Sequence, residues 1–454
     1  MKAARHKRHG SIKKKWMLLY GFCLALICIG GIIVFGFQRE IVLRFGMFTG
    51  SNWDVASADS FEIIDRTIRK FEKEHPGVRI EYASGISKED YSEWLAGKLL
   101  DNQMPDVFMI KNSDFNKFCS LGAVEKLDEW IENDVHFNRN RFFPSAFRVG
   151  QANGHAYALP YEIVPTLLFV NKSLLLKEGI AMPAEDWTWN DMYNICQRIT
   201  KDTNGDGILD QFGTYNYHWL HAIHSNGDNL MDEETDKMDF TSDSIKESLS
   251  FTKKIYDLNE GQKVTQEDFN NGKVAFMPLT FAEYRTYKTY PYKIKKYSAF
   301  QWDCTTFPAG NSGGNTSEVD ALLIGISSKS RRKALAWEFL KTLTYDEEIQ
   351  MDIFRYSQGV SVLKRVTKSE EAQDILKANM EAGEQAVSMD ILSYVIENGI
   401  TAPKGKQYDQ VLNLADIEIN KILEEEKDID STMKIFQRKI RSDGTNDTME
   451  GEKS

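Results

Sequence analysis

The sequence predicts a two-lobed α/β protein preceded by one membrane-spanning helix, and three observations support this fold class. The chain has 454 residues, 42% hydrophobic and 27% charged, which is the composition of a globular protein. A chain of this length is too long for a single hydrophobic core, so two or more lobes are expected. An uncharged apolar run stands near the start, and strand and helix patterns alternate from Ile41 onward.

The charge distribution orients the start of the chain relative to a membrane. Residues 1–15 form a basic segment with seven Lys and Arg side chains and no acid. The run Trp16–Phe37 is 22 residues long without a charge, which is enough for a helix to cross a bilayer of about 30 Å. The preceding lysines predict a cytoplasmic N-terminus and an extracellular bulk, so a single-pass protein of the cell membrane is expected. The run lacks a small-x-small cleavage site, which favours an uncleaved signal anchor; a cleaved signal is the alternative.

The remainder of the chain is acidic. It holds 49 basic and 67 acidic side chains, a net charge of −18. Such a surface repels phosphate, so we expect no nucleic-acid partner.

The first elements after the apolar run predict a βαβ unit. "IVLRFGMF" is a run of strand formers, and "VRIEY" alternates as a second strand. Between them, Phe61, Ile64, Ile68 and Phe71 fall on one helical face. A crossover of this length joins parallel strands, and the buried run "DVFMI" predicts a further strand.

A second set of elements begins near "GHAYALPYEIVPTLLFVN". Extended runs at 156–159 and 166–171 flank two prolines and predict a crossing between lobes. "WTWNDMYNICQRIT" predicts a helix capped by Thr188 and Asp191, and "ALLIGI" predicts a return strand. We predict a first lobe of residues 40–160 and about 318–360, a second lobe of residues 161–317 and about 361–440, and a disordered tail at 442–454.

Several stretches, in this order, resemble the extracellular solute-binding proteins of the sugar-import type, the maltose-binding-like receptors of ABC importers. They are "FEKEHPGVRIEY", "MPDVFMI", "FCSLGAVEKLDEWI", "YALPYEIVPTLLFVNKSLL", "DWTWNDM", "FNNGKVAFMP" and "KALAWEFLKTLTYDEEIQ". The resemblance spans about residues 41–362. It implies a periplasmic-binding-protein-like (type II) fold, in which two lobes close by hinge motion over a ligand in the interlobe cleft. It also implies a monomer that binds a carbohydrate, in particular an oligosaccharide, and delivers it to an ABC transporter permease.

One feature departs from this family, whose typical members are soluble or lipid-anchored, because this chain keeps a predicted membrane helix. A ligand-sensing accessory protein of a membrane sensor is therefore an alternative function. A receptor for a polyamine or another small solute is a second alternative, because aromatic rings and carboxylates also bind cations.

Trp53 is the first candidate ligand-binding residue. It stands in the polar stretch "TGSNWD" after the first strand, in a loop that the resemblance places at the cleft. An aromatic ring covers the C–H face of a sugar, while neighbours such as Asn52 and Asp54 bind its hydroxyls. The alternative is a rim tryptophan packed on a neighbouring helix.

Further candidates come from the segments where the resemblance implies cleft contacts. Glu162 is expected to accept hydrogen bonds from sugar hydroxyls at the hinge, or alternatively to form a structural hydrogen bond between the lobes. Aromatic rings and one more acid complete the predicted site: Tyr161, Trp219, Phe281, Tyr284, Trp302 and Asp303.

The stretch "DTNGDGILD" predicts a structural calcium site. Its oxygen ligands would be Asp202, Asn204, Asp206, the carbonyl of Ile208, and Asp210, at the spacing of an EF-hand loop. The twelfth position is Gly213, where a bidentate acid is expected, so weak binding or a plain tight turn is the alternative.

Enzymatic function is not expected. The sequence contains no GxSxG, Walker loop, HExxH or dinucleotide fingerprint. The spacing of His218, His221 and His224 rotates by about 60° per step on a helix, so the three rings do not converge on one metal ion.

Overall fold

The computed structural model describes residues 40–55, 60–83, 85–232, 237–289, 300–378, 386–402 and 408–451. The predicted membrane span Trp16–Phe37 lies outside these residues. Among the residues described, no helix combines the length and apolar character that crossing a membrane requires.

The first lobe begins with the predicted parallel βαβ unit. Its strands are β1 (Ile41–Gly46), β2 (Val78–Tyr82) and β3 (Val107–Ile110), and its helices are α1 (Ser60–Glu74), α2 (Lys88–Leu100), α3 (Asn112–Ser120), α4 (Asp128–Asn133) and α5 (Pro144–Val149), with a 3₁₀ turn (Arg139–Arg141) and a hairpin of β4 (Gln151–Ala152) and β5 (His155–Ala156). β1 pairs in parallel with both β2 and β3, which confirms the predicted α/β architecture. Ile64 and Phe71 of α1 are buried against this sheet.

One long strand, β6 (Ala158–Asn171), connects the lobes. Its first half pairs with the first-lobe sheet, and its second half pairs with the second-lobe sheet. The sequence predicted two separate runs, because proline donates no ladder hydrogen bond. The strand nevertheless continues through Pro160 and Pro165, with a register shift in its partner strand beside Pro160. The predicted crossing is thus a single continuous element.

The second lobe contains a smaller sheet covered by helices. Its elements are α6 (Lys172–Lys177), α7 (Trp189–Ile199), β7 (Phe212–Thr214), α8 (Trp219–Ser225), β8 (Met231–Asp232), β9 (Lys237–Met238), α9 (Asp243–Asp257), α10 (Gln266–Asn270), β10 (Val274–Thr280), α11 (Phe281–Thr289) and β11 (Trp302–Thr305). Strand β10 runs antiparallel to β6 and parallel to β7. The predicted capping box of Thr188 and Asp191 is present at the start of α7.

The chain then returns to the first lobe. The remaining elements are β12 (Glu318–Ile326), α12 (Lys333–Thr344), α13 (Glu347–Tyr356), β13 (Val360–Ser361), α14 (Lys364–Thr367), α15 (Glu370–Ala378), α16 (Met389–Glu397), β14 (Ile400–Thr401), α17 (Tyr408–Glu424) and α18 (Ile429–Gly451). The return strand β12 lies between β3 and β6, so the strand order is β2-β1-β3-β12-β6-β10-β7.

Two predicted boundaries need correction. The second lobe was expected to resume near 361, but β13 pairs with β6 at Ile163 and Glu162, and α16 packs on α5. The described parts of this segment, 360–378 and 386–397, therefore belong to the first lobe, and α17 and α18 join α8 and α9 in a separate apolar cluster. The tail predicted as disordered from 442 continues helix α18 as far as Gly451.

Candidate ligand-binding site

A cavity of about 540 Å³ lies between the lobes. That volume falls within the range of about 300–1,000 Å³ that is usual for small-molecule sites. The cavity is bounded by the carboxyl ends of β1 and β3, the middle of β6, the end of β10 and the start of β12. Its lining residues are Asn52, Trp53, Asp54, Lys88, Lys111, Asn112, Ser113, Asn116, Val164, Thr166, Thr280, Glu318, Asp320, Ala402 and Tyr408. The site thus lies where strand ends meet in an open α/β sheet.

The loop after β1 places Trp53 in this cavity. The Ser51 hydroxyl accepts a hydrogen bond from the Trp53 backbone N–H at 3.1 Å, which closes a tight turn. Asp54 follows with a φ of 55°, a left-handed conformation that Asp tolerates better than most residues. The Lys88 ammonium donates to the Asn52 carbonyl at 2.7 Å and to the Asp54 carboxylate at 2.6 Å. These contacts fix the loop and leave the indole ring half-buried at the cavity wall.

The polar edge of the Trp53 ring faces inward. Within the described residues its N–H is buried and has no hydrogen bond of standard geometry. It lies close enough to the Glu162 carboxyl to lower the pKa of that group, in opposition to burial. The ring therefore contacts the hinge on one side and the cavity on the other.

Glu162 lies behind Trp53 in a polar network. Its carboxylate accepts hydrogen bonds from the Ser357 hydroxyl and from the Gly359 N–H. Burial raises the pKa of Glu162, while the charge of Arg285 lowers it. The Arg285 guanidinium donates to the Phe354 carbonyl at 2.6 Å, and burial lowers its pKa to about 10. The loop 357–359 is thus held from β6 and from α11 at once.

Tyr161 and Glu162 line a second, much smaller cavity of about 30 Å³ beside the first. Asn52 and Ser51 line it as well, so it adjoins the larger cavity at the loop after β1. A space of that size holds about one water molecule. Both side chains are nearly fully buried, at 3% and 4% exposure, so neither reaches the larger cavity in this conformation.

The first-lobe wall also carries residues that the sequence reasoning missed. Lys111, Asn112 and Ser113 directly follow strand β3 and begin helix α3. Ligands of open α/β sheets bind beyond the carboxyl ends of the strands, so the position of these residues after "DVFMI" was an available signal. Lys88 and Asn116 contribute to the same wall from α2 and α3.

Strand β12 adds two acids that were also missed. Glu318 and Asp320 lie at alternate positions of "EVDALLIGI" and share the cavity-facing side, while Val319 and Ala321 are buried. Period-2 alternation in this strand was the signal for them. Thr166, Thr280 and Tyr408 complete the site, and nothing in the local sequence pattern singled them out.

Three of the predicted aromatic residues lie in the core and not at the cavity. Phe281 is fully buried, and Tyr284 is stacked on Phe169 with ring centroids 5.3 Å apart. Trp219 is 3% exposed, and its indole donates to Asp416 at 2.7 Å. None of the three lines either cavity. Helical and strand neighbours cover these rings, which a short sequence window does not reveal.

Trp302 and Asp303 are also outside the cavity lining. The Trp302 ring packs on Phe169 at a centroid distance of 5.1 Å. Asp303 pairs with Lys172 at 3.2 Å. Of the ten predicted ligand-binding residues, Asn52, Trp53 and Asp54 line the larger cavity, and Tyr161 and Glu162 lie next to it.

The predicted calcium loop is closed by its own hydrogen bonds. Asp202 accepts from the backbone N–H groups of Gly205 and Gly207, both at 2.7 Å, and these contacts lower its pKa. Both carboxylate oxygens of Asp210 accept from Thr203. Among the described residues, no three acidic, histidine or cysteine side chains are arranged to hold a metal ion. As folded here, Asp202 and Asp206 accept hydrogen bonds from backbone N–H groups and Asp210 accepts from Thr203, so a bound cation would have to displace some of these contacts.

The histidine segment contains no metal site either within the described part of the chain. His218 caps helix α8 and contacts Asp416 at 3.0 Å. Burial lowers the pKa of His221 to about 3 and that of His224 to about 4.

Two α/β lobes, a connecting strand and a polar cavity with an aromatic wall define the class of two-lobed ligand-binding proteins. The model of the family described as bacterial extracellular solute-binding protein matches residues 56–350. The chain belongs to this family. It is also 24% identical over 123 residues to the maltotriose-binding protein of Pyrococcus abyssi, a match that covers 27% of this chain and only 26% of that relative's length.

Solved structures show the same fold. The sugar-binding protein MalE of Xanthomonas citri aligns with a TM-score of 0.73 at 16% identity, over 91% of this chain and 100% of that one. An ABC substrate-binding protein of Listeria monocytogenes in complex with cycloalternan aligns with a TM-score of 0.63 at 17% identity, over 90% and 99% of the two chains.

Proposed function

We propose that this chain binds a carbohydrate, in particular an oligosaccharide, in the interlobe cavity. The observation that carries the proposal is Trp53, an aromatic residue in the wall of a cavity whose other lining residues are mostly amides, hydroxyls and charged groups, with Val164, Ala402 and Tyr408 as the further apolar surface. A sugar presents apolar C–H faces and a rim of hydroxyls, and this combination of aromatic residues with many polar groups matches both. Family membership and the sugar-binding relatives support the same ligand class.

Ligand binding would draw the lobes together about strand β6. Groups from both lobes line the cavity, for example Asn112 from the first and Thr280 from the second. A ligand that touches both walls stabilises the closed arrangement more than the open one and so shifts the population. The network of Glu162 and Arg285 would then act at the hinge, where it joins β6 and α11 to loop 357–359.

The proposal includes delivery to an ABC importer from the outer face of the membrane. Family membership supports the importer context, and the basic segment before the apolar run Trp16–Phe37 supports anchoring with the lobes outside. No catalytic role is proposed, because the relatives are solute-binding proteins. If deletion of the gene leaves sugar uptake intact but abolishes a sugar-dependent response, the sensory alternative replaces the transport role.

The test is calorimetric titration of the purified full-length chain with maltose, maltotriose, other neutral saccharides and spermidine. A ligand present at 100 times its Kd adds about 2.7 kcal/mol to the free energy of unfolding, which a parallel thermal-shift assay detects. We expect Trp53→Ala to weaken saccharide binding about thirtyfold, whereas Trp94→Ala, a half-buried tryptophan of α2 outside the cavity, leaves it unchanged. Binding of spermidine alone would overturn the carbohydrate proposal, and equal affinities in both variants would remove Trp53 from the site.

We also propose that residues 202–210 bind calcium weakly, after their carboxylates exchange backbone partners for the ion. The alternating Asp and Asn side chains support this, since they provide hard oxygen ligands. Calcium would then raise the unfolding temperature of the intact chain, and Asp206→Asn would reduce that shift. An unchanged unfolding temperature across millimolar calcium would show that the loop is only a tight turn.

A further inference from the structure

Lys111 stands out among the charged residues that line the cavity. Its ammonium donates to the Lys88 backbone carbonyl at 3.1 Å, and it forms no ion pair within the described ranges of the chain. Lys88, in contrast, is paired with Asp54 at 2.6 Å. Of the two cations among the described residues that line the cavity, Lys111 is thus the one whose charge has no carboxylate partner.

Lys111 also stands at the start of helix α3, whose first turn contains one acid, Asp114, bonded to the Ser92 hydroxyl. Lys111 is the N-cap residue of helix α3, and its side chain makes no capping hydrogen bond. The first N–H groups of a helix lack intrahelical acceptors, and the helix dipole makes this end attractive to anions. Asn112 and Ser113, the first two residues of α3, both line the cavity. The Asn112 side-chain oxygen is buried without a hydrogen bond among the described residues, so a donor on a ligand would satisfy it.

The acids of the cavity do not cancel this charge by direct pairing. Asp54 is occupied by Lys88. Asp320 accepts from the Ala321 N–H at 2.7 Å and, with Glu318, lines the cavity from strand β12. No carboxylate lies within 4.0 Å of the Lys111 ammonium in the part of the chain that the structure describes. A bound sugar would thus contact the Lys111 cation at the start of α3 and the carboxylate acceptors Glu318 and Asp320 of β12.

We propose that the ligand is an acidic saccharide whose anionic group binds at Lys111 and the start of α3. The inference rests on the proposed carbohydrate function and specifies its substrate class. The sugar hydroxyls donate to Glu318 and Asp320, and the ring stacks on Trp53. A carboxylate of a uronic acid and a sulfate ester share the required charge, so the experiment separates them.

The experiment compares three matched ligands on the full-length chain by calorimetry at low ionic strength: digalacturonate, a sulfated disaccharide and the neutral galactobiose. We expect an anionic disaccharide to bind at least tenfold more tightly than the neutral one. Lys111→Gln should reduce this preference about tenfold, and added salt should reduce it as well. The matched control is Lys117→Gln, an exposed residue of the same helix outside the cavity, which makes the same change in net charge.

The outcomes distinguish a failure of the acidic-saccharide inference from a failure of the proposed carbohydrate function. A preference for the uronide or for the sulfated sugar that depends on Lys111 supports the inference and identifies the anionic group. Neutral and acidic sugars of equal affinity, both lost in Trp53→Ala, would overturn the inference and leave the carbohydrate function standing. No binding of any saccharide, neutral or acidic, would overturn both. If Lys117→Gln reduces the preference for acidic sugars as much as Lys111→Gln does, the preference comes from the net charge of the protein. That result would reject Lys111 and the start of α3 as the anion site.

Discussion

Trp53 and Phe281 both follow the carboxyl end of a strand, yet only Trp53 reaches the cavity. Strand β1 ends at Gly46 and the next helix begins at Ser60, so the intervening loop has room to form its own turns. Phe281 directly follows Thr280, the last residue of β10, and is itself the first residue of helix α11. A helix that begins without a connecting loop must pack its first turn against the sheet, which buries the ring. The length of the connection after a strand, and not the residue type alone, decides whether an aromatic ring is available to a ligand.

Replacing Phe281 provides the largest expected effect. Its side chain is fully buried against Tyr284 and the core, so Phe281→Ala should lower the free energy of unfolding by about 3–5 kcal/mol. Ligand affinity, measured by calorimetry well below the unfolding temperature, should change little. Chemical denaturation of variant and parent measures the stability. A large loss of ligand affinity with an unchanged denaturation midpoint would place Phe281 in the binding site. The contrast with Trp53 would then be wrong.

The buried His224 makes the free energy of unfolding depend on pH. It is 1% exposed, neither ring nitrogen has a hydrogen bond within the described residues, and burial lowers its pKa to about 4. Below pH 6.5 the unfolded chain binds a proton at this residue that the folded chain does not. Stability therefore falls as the pH drops from 6.5 to 4, by up to about 1.4 kcal/mol per pH unit from this one group. His221 acts in the same direction, because burial also lowers its pKa.

The measurement is the free energy of unfolding from pH 7.5 to 4.5 for the parent chain and for His224→Leu. The variant should show a reduced slope, since only His218 and His221 of this segment, whose pKa values burial also lowers, keep their contributions. His136→Gln, at an exposed position, is the matched control and should keep the parental slope. Identical slopes in the parent and His224→Leu would show that the buried ring does not titrate as stated.

Glu162 lies between the cavity and the buried core. Its replacement tests whether this carboxylate contacts the ligand or supports the hinge. Its carboxylate holds the Ser357 hydroxyl and the Gly359 N–H. Glu162→Ala leaves both donors unsatisfied and should cost about 1–3 kcal/mol of stability. Glu162→Gln keeps an acceptor oxygen and loses a charge that burial already disfavours, so its cost should be smaller.

The two variants also distinguish the two interpretations of Glu162. If the carboxylate only supports loop 357–359, the affinity measured by calorimetry follows the loss of stability, and Glu162→Gln binds almost as well as the parent. If Glu162 accepts hydrogen bonds from sugar hydroxyls, Glu162→Gln loses affinity while its denaturation midpoint remains near that of the parent.

The sequence predicted the architecture well because its signals are local. Apolar periodicity and capping residues such as Thr188 predicted helices and parallel strands, and the structure contains them. The continuous strand β6 and the pairing of Val360 and Ser361 with it were not predicted, because both depend on contacts between distant parts of the chain.

The candidate site was only partly predictable for the same reason. Trp53 stood out as a large ring in a polar loop, whereas Lys111 and Glu318 are ordinary surface residues until the sheet brings them to one cavity. Trp219 and Trp302 were predicted from segments that the resemblance places at the cleft, but Trp219 is enclosed by its neighbours and the half-buried Trp302 packs on Phe169.

The smallest expected effect on stability, and the sharpest test of the cavity wall, comes from Asp54→Asn. The Asp54 side chain is 81% exposed and pairs with Lys88 at 2.6 Å. An exposed ion pair contributes about 0–1 kcal/mol, and asparagine tolerates the positive φ of this position, so the unfolding temperature should hardly change.

The substitution removes the carboxylate partner of Lys88 and leaves a second cation beside Lys111. Affinity for an acidic disaccharide should therefore rise by about two- to fivefold at low salt, opposite in direction to Lys111→Gln. Asp101→Asn, an exposed position outside the cavity, controls for net charge. A fall in affinity for acidic and neutral sugars alike would instead show that the Asp54 carboxylate itself accepts sugar hydroxyls, as the sequence first indicated.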